Sequence, residues 1–196
     1  MIAFDAIVLA GGRSRRMGDV DKIGVLLQGR PLLAHACDAV AAARSLVVVG
    51  PDGLAGTPAG AQVTRSTRSS VGRRPPSAQG WTRWPIRRQL VAVIAADVPR
   101  AADAIPALLA AALTAADGVV ARQGNGWLQP LLAVYRTASL LAAVDAHAPL
   151  TGLAVHRLVG GLDLAELTLP DDVLSDVDTP DDLHRLTTST KEQPHG

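Results

Sequence analysis

Ala6-Ile7-Val8-Leu9-Ala10 is apolar without interruption and stops against Gly11-Gly12, with Arg13, Arg15 and Arg16 close behind. A run this short and this uniformly apolar fits a strand covered on both faces, the condition of a parallel sheet. Charge must then gather at the point where a buried strand ends. Leu46 to Val49 and Leu90 to Ala96 repeat the pattern, the first ended by Gly50-Pro51 and the second by Asp97-Val98-Pro99. Only 3% of residues are aromatic against 48% apolar, so Val, Leu, Ile and Ala must fill the core.

Helical patterns lie between the strands. Pro31 suits a first helical position, and Leu32, Leu33, Ala36, Val40 and Ala43 recur behind it at helical spacing. Val25 to Leu27 reads as a short second strand, and Ala101 to Ala116 as an Ala/Leu-rich helix. Gly118 to Ala121 and Leu131 to Tyr135 are strand candidates joined by a turn through Gly124 and Gly126. Thr137 to Ala146 and Leu150 to Leu158 read as helices parted by Pro149. A late strand near Leu164 to Leu169 leads to Asp176-Val177-Asp178. Thr179-Pro180-Asp181-Asp182 then opens a last helix, with Thr as N-cap, Pro at the first position and acids in the first turn. The alternation predicts one α/β domain over residues 1–186 with a mostly parallel sheet, followed by a frayed tail over 187–196. Ligands of such sheets bind at the carboxyl ends of the strands. Three charged clusters fall there: Gly11 to Lys22, Asp97, and Asp176 with Asp178.

The formal net charge of +1 gives no bulk electrostatic reason to bind nucleic acid or a membrane surface. No apolar run reaches the ~20 residues of a membrane helix. The opening residues lack the pattern of a secretory signal, and the single cysteine, Cys37, excludes an internal disulfide. A cytoplasmic chain is expected, a monomer or weak oligomer, with neither membrane nor nucleic acid as partner. Cys37 falls on the apolar face of a helix and reads as inert packing. The five histidines show no metal-ligand spacing. Trp127 either covers an acceptor pocket or caps its hairpin.

The loop after the first strand carries the chemistry. Its glycines let backbone pass close to a ligand, exposed N–H groups there can cradle phosphate oxygens, and Arg13, Arg15, Arg16 and Lys22 supply positive charge. It is not a P-loop, since no Gly-Lys-Ser/Thr follows, and it lacks the Gly-x-Gly-x-x-Gly of dinucleotide-binding folds. The bland alternative is a solvated basic turn.

The ordered string Leu9-Ala10-Gly11-Gly12-x-Ser14-x-Arg16-Met17-Gly18-x-x-Asp21-Lys22 resembles the signature of the MobA-like NTP transferases, whose best-known members are molybdenum cofactor guanylyltransferases. Gly29-Arg30-Pro31-Leu32, Asp97-Val98-Pro99, Gln129-Pro130-Leu131 and Asp178-Thr179-Pro180-Asp181-Asp182-Leu183 are similar to further family motifs. The resemblance implies a Rossmann-like three-layer nucleotidyltransferase domain. It implies GTP and a phosphorylated acceptor, molybdopterin, as substrates, with Mg2+ as cofactor. Arg16 and Lys22 would hold phosphates, Leu9, Ala10, Gly11 and Gly12 would face the nucleotide, and Arg16, Lys22 and Asp97 would form the catalytic set. The Gly-Gly pair resembles guanylyl rather than cytidylyl members. Magnesium takes oxygen ligands, so Asp97 and Asp178 are the metal candidates, with Asp176 behind them. Asp178 has a rival role as a helix-capping residue, and Asp21 can orient Lys22 by an ion pair. Other readings stay open: a CTP- or GTP-dependent transferase for another phosphorylated small molecule, an impaired nucleotide-binding homologue, or a basic nucleic-acid binder.

One stretch departs from the family. Between Gly53 and Ala96 there is no acidic residue, while seven arginines (Arg65, Arg68, Arg73, Arg74, Arg83, Arg87 and Arg88) crowd together with Trp81 and Trp84. The family has an acidic strand end, a Gly-Pro turn and an Ala/Leu-rich helix there. With GC-rich codons, Ser66 to Gln89 read two nucleotides later regains an Asp-Pro, a Gly/Pro turn and an amphipathic Ala/Leu helix. A pair of compensating frame shifts over residues 64–89 is the favoured explanation; a true basic insertion for an anionic partner is the competitor. Sequencing the gene from fresh template between the codons of Gly60 and Ala92 is expected to reveal the compensating pair. Codons that stand as written would establish the basic insertion instead.

Overall fold

The computed structural model describes residues 2–10, 25–51, 53–64, 88–148, 153–177 and 182–183. In chain order these form β1 (Asp5–Leu9), β2 (Leu26–Leu27), β3 (Arg30–Pro31), α1 (Leu32–Ala39), β4 (Leu46–Val49), β5 (Gln62–Thr64), β6 (Leu90–Ala95) and α2 (Ala101–Ala112). They continue through β7 (Gly118–Arg122), β8 (Leu128–Arg136), α3 (Thr137–Ala146), α4 (Val155–Leu158), β9 (Leu164–Thr168) and α5 (Asp171–Leu174). Seven strands make one sheet in the order β5-β4-β1-β6-β8-β7-β9. β8 alone among them runs antiparallel to its neighbours β6 and β7.

β1 sits between β4 and β6, parallel to both, with Ala6 opposite Leu46 on one side and Ala92 on the other. Its side chains alternate between two packed faces. Ala6 and Val8 join Leu33, Ala36 and Val40 near α1 and Ala104 and Leu108 of α2 in one buried cluster. Ile7 faces the other way with Val91, Val93, Ala133 and Tyr135, against Leu140 of α3 and Val155 and Leu158 of α4. Helices on both faces of a mostly parallel sheet give the three-layer α/β architecture that the alternating pattern predicts. The abundance of alanine at these contacts (Ala6, Ala36, Ala92 and Ala104 are all fully buried) means that little side-chain bulk separates helices from sheet.

Side-chain clamps tie the amino edge together. The Arg136 guanidinium donates to the carbonyls of Leu113 (3.0 Å) and Ala115 (3.1 Å) just past α2. Asp117 accepts from the Ser139 hydroxyl at 2.6 Å and the Asp163 N–H at 2.8 Å. These two bonds hold its carboxyl below the usual carboxylate range, the hydroxyl contributing most. Asp5, buried at the head of β1, accepts the Arg88 N–H at 2.8 Å. Burial, with the nearby Asp38 charge in second place, pushes the Cys37 thiol up to about 11. It is therefore protonated and unreactive at neutral pH, as packing demands.

Most expected elements lie where the pattern places them, with shifted ends. α2 stops at Ala112, short of Ala116, where Arg136 captures the carbonyls that a longer helix would use. Helix is present over Val155–Leu158 alone in the stretch expected to run from Leu150, because Ala154 is extended at ψ 143; residues 149–152 lie outside the described set. Pro31 precedes α1 in extended geometry (ψ 142) rather than opening it. It pairs in a tight hairpin with Leu26, turning at Gln28 and Gly29 with φ 53 and 76, the backbone of a two-residue hairpin loop. β5 and α5 are additions to the expected set.

Gly118 begins β7 at φ +147, and a Cβ there would lie 2.5 Å from the Val134 carbonyl oxygen and 2.8 Å from the Tyr135 Cα. Both are backbone atoms of the adjacent strand and cannot swing away. Gly118→Ala is expected to cost about 1–3 kcal/mol or more in urea denaturation; an unchanged midpoint would contradict this account of the β7–β8 contact.

Candidate active site

The carboxyl edge of the sheet is built from strand ends bonded directly to one another. Beyond the last residue of β1, Ala10 donates to the Val49 carbonyl at 2.8 Å, and Ala96 donates to the Leu9 carbonyl at 3.0 Å. The ladder therefore holds Leu9 and Ala10 on both sides up to the residue where the glycine-arginine loop begins. Leu9 is partly buried and Ala10 fully so. Gly11, Gly12, Arg16 and Lys22 lie outside the described residues.

Gly50 shapes this junction. A Cβ on Gly50 would sit 2.6 Å from the Ala10 carbonyl oxygen and 2.7 Å from Leu54 Cδ1. The end of β4 thus presses on the end of β1 more closely than any other residue permits, while the Gly50 N–H donates to Thr64 at 2.9 Å. The sequence marks Gly50 only as a strand stop; the close approach is a fact of the fold.

Asp97 follows β6 and is half-buried, between buried Ala96 and buried Val98. Its carbonyl oxygen accepts the Val177 N–H at 2.9 Å. Val177 is itself fully buried with Leu27 and Leu32, so the segment carrying Asp176 is pinned to the Asp97 turn by both a hydrogen bond and an apolar plug. Asp176 is exposed. Asp178, the other metal candidate, lies outside the described residues, one position beyond Val177. Among the described residues no group of three or more His, Cys, Asp or Glu is arranged so that it could hold a metal ion. The donor chemistry gathered near this edge is carboxylate oxygen, which suits a hard divalent cation completed by phosphate oxygens.

Two further ties enclose the edge. Arg100, at the start of α2, bonds Asp103 at 2.9 Å and also reaches Asp172 on α5. The Gly124 N–H donates to Asp171 Oδ1 at 3.1 Å, joining the β7–β8 turn to the same short helix. α5 repeats the Pro-Asp-Asp opening read at Pro180, as Pro170-Asp171-Asp172, and that signal could have found it. Within β8 the register slips, Val120 facing Ala133 and Ala121 facing Gln129, so Pro130 falls in a bulge. Pro130 cannot donate to the ladder, and its carbonyl instead accepts the buried Tyr135 hydroxyl at 2.8 Å. Burial raises that phenol well above its ordinary value, keeping it a neutral donor. Bulges recur at sheet rims next to active sites, where they re-aim side chains.

The profile of the MobA-like NTP transferase domain matches residues 6–159. The chain is 30% identical over 205 residues to a molybdenum cofactor guanylyltransferase from Pseudomonas putida, covering 90% of this chain and 94% of that one. It is 28% identical over 194 residues to a probable molybdenum cofactor guanylyltransferase from Natronomonas pharaonis, covering 91% and 94%. Among solved structures, a mycobacterial homologue of Rv0371c from strain JC1 superposes with a TM-score of 0.70 at 22% identity, over 95% of this chain and 96% of that one. The manganese complex of Rv0371c from Mycobacterium tuberculosis gives 0.66 at 18% identity, over 94% and 98%. A 2-C-methyl-D-erythritol 4-phosphate cytidylyltransferase from Thermus thermophilus gives 0.62 at 18%, over 96% and 99%. Among the described residues no helix is long and apolar enough to cross a membrane.

If the Gly50–Ala10 contact sets the entry to the loop, Gly50→Ala should weaken nucleotide binding severalfold in calorimetry and cost about 1–3 kcal/mol of stability. Gly161→Ala, where a Cβ meets nothing within 4 Å, is the control expected to change neither. Equal nucleotide affinity in both variants would detach Gly50 from the site.

Proposed function

The chain belongs to the MobA-like NTP transferase family of nucleotidyltransferases, and from that premise we propose that it moves GMP from GTP onto molybdopterin and releases pyrophosphate. An oxygen of the acceptor phosphate forms the new bond to the α-phosphorus of GTP. The bond from that phosphorus to the bridging oxygen breaks, and pyrophosphate leaves with the electron pair. Such transfers ask little covalent chemistry of a protein; orientation and charge neutralisation carry the rate.

The observation that carries this reading is the double tie at Asp97. Through the Ala96–Leu9 bond its turn is fixed to the root of the glycine-arginine loop, and through the Asp97–Val177 bond to the segment that runs on into Asp178. The three segments that the family motifs mark as functional therefore start from one edge of one sheet. In this reading Gly11 and Gly12 face the guanine nucleoside, and Arg16 and Lys22 hold the triphosphate. Asp97 and Asp178 are the proposed ligands of Mg2+. Bound there, the cation would supply charge neutralisation at the phosphates. The half-buried Asp97 follows directly on β6, whose ladder with β1 and β8 fixes the backbone leading into it.

A second reading, transfer to another phosphorylated small molecule, draws on the fold shared with the cytidylyltransferase neighbour. Pyrophosphate release with GTP or CTP and a panel of acceptors separates the two. Molybdopterin with GTP is expected to give the fastest release. Turnover confined to CTP or to ring-free acceptors would displace the guanylyl reading, and GTP binding with no turnover would mark an impaired homologue. Asp97→Ala is expected to lower metal-dependent turnover on the order of 10²–10³-fold, the scale of losing one transition-state stabiliser, with the far-ultraviolet circular dichroism unchanged. Full activity in a folded Asp97→Ala protein would refute the metal assignment.

A further inference from the structure

We propose that His35 is a positioning residue for the Asp97 turn: its ring holds the Leu27 carbonyl, and through Leu27 and Val177 it keeps that turn fastened. The inference rests on the reading above in which Asp97 is a metal ligand, and deepens it. The family motif Gly29-Arg30-Pro31-Leu32 stops three positions short of His35. α1 buries two sets of residues. Leu33, Ala36 and Cys37 join the main core with β1 and β6, which fixes the helix. Leu32 and His35, three apart and so on one side of the helix, serve the β2–β3 hairpin instead. Leu32 is buried in one cluster with Leu27 and Val177. The half-buried His35 places Nε2 at 3.1 Å from the Leu27 carbonyl oxygen. A carbonyl only accepts, so Nε2 carries the proton and donates.

The hairpin needs a hold from outside. Its strands have two residues each, too few to persist alone. Its turn puts Gln28 at φ 53, a left-handed conformation that residues with a Cβ rarely adopt. The other side-chain tie to α1 is weak: Arg30 meets Asp38 at 2.7 Å, but both side chains are more than half exposed, and such pairs contribute little. Leu26 points its bulk at water and adds little burial. Leu27 is where the hairpin engages the rest of the protein, its side chain in the plug with Val177 and its carbonyl on His35. The Val177 N–H in turn donates to the Asp97 carbonyl at 2.9 Å. Two hydrogen bonds and one apolar cluster thus join the His35 ring to the backbone of Asp97, every member of the path lying on a described element.

Amide hydrogen exchange of the full chain, read residue by residue by nuclear magnetic resonance, tests the proposal. His35→Leu keeps the bulk and removes the donor; His35→Gln restores an N–H at a similar reach. The Val177 amide is expected to exchange about 5–10-fold faster in His35→Leu, the scale of one lost hydrogen bond, and at the parent rate in His35→Gln. The amides of Val8 in β1 and Ile94 in β6 should not change. In pyrophosphate release, His35→Leu should raise the Mg2+ concentration for half-maximal rate severalfold and leave the rate at saturating Mg2+ near the parent's. Unchanged Val177 exchange in His35→Leu overturns the proposal. So does a uniform rise at Val177, Val8 and Ile94, which would mark a loss of global stability, and so does faster Val177 exchange with an unmoved Mg2+ requirement. A parent with no turnover sinks the transfer reading, and Val177 exchange then still decides whether His35 holds the Asp97 turn.

Discussion

Everything at the carboxyl edge hangs on the pairing of β1 with a parallel neighbour on each side. Five residues without a polar side chain beyond Asp5 must satisfy their backbone groups entirely through the ladder, and they do so with β4 and β6 at once. The pairing outlasts the strand, through the bonds of Ala10 to Val49 and Ala96 to Leu9. The loop proposed to meet a triphosphate thus starts from a strand paired on both sides. The cost is steric: two backbones this close leave no room for a Cβ at Gly50.

The other half of the edge follows different rules. β8 reverses direction, so β7 and β8 meet in a turn rather than in helices. That turn is secured by polar contacts to α5 and by the bulge at Pro130. One side of the edge is therefore made of parallel strand ends from which long loops depart. The opposite side is made of a short reversal whose geometry is set locally by Asn125, Gly124 and Tyr135.

How much of this was legible in the sequence depends on the range of the interaction. β4 and α3 have the bounds that hydrophobic patterning predicts, because each is a short run whose ends are marked by Gly50 or by the break after Ala146. β5 was not legible: Gln62-Val63-Thr64 has one apolar residue, and only pairing with β4 makes it a strand. The end of α2 was set by Arg136, which lies more than twenty positions downstream, and no local pattern reports that. For the site, Asp97 stood out as a lone carboxylate after a buried strand and lies where that logic puts it. Its bond to Val177 could not be read, since nothing in the chemistry of valine announces which carbonyl its N–H will meet. Gly11, Gly12, Arg16, Lys22 and Asp178 carry motif evidence alone, the structure describing the residues up to Ala10 and Val177 that lead into them.

The two neighbours of β1 are made at different times. β4 follows soon after it, but β6 begins roughly 40 residues beyond the end of β4. At typical rates of synthesis that interval lasts roughly 2–8 seconds. Throughout it, one edge of a strand whose sole charged residue is Asp5 stands open, with no lysine or proline to guard it against pairing with another chain. The nascent protein is therefore at its most aggregation-prone while the basic segment between Arg65 and Arg88 is being added, and the positive charge of that segment falls within the same window.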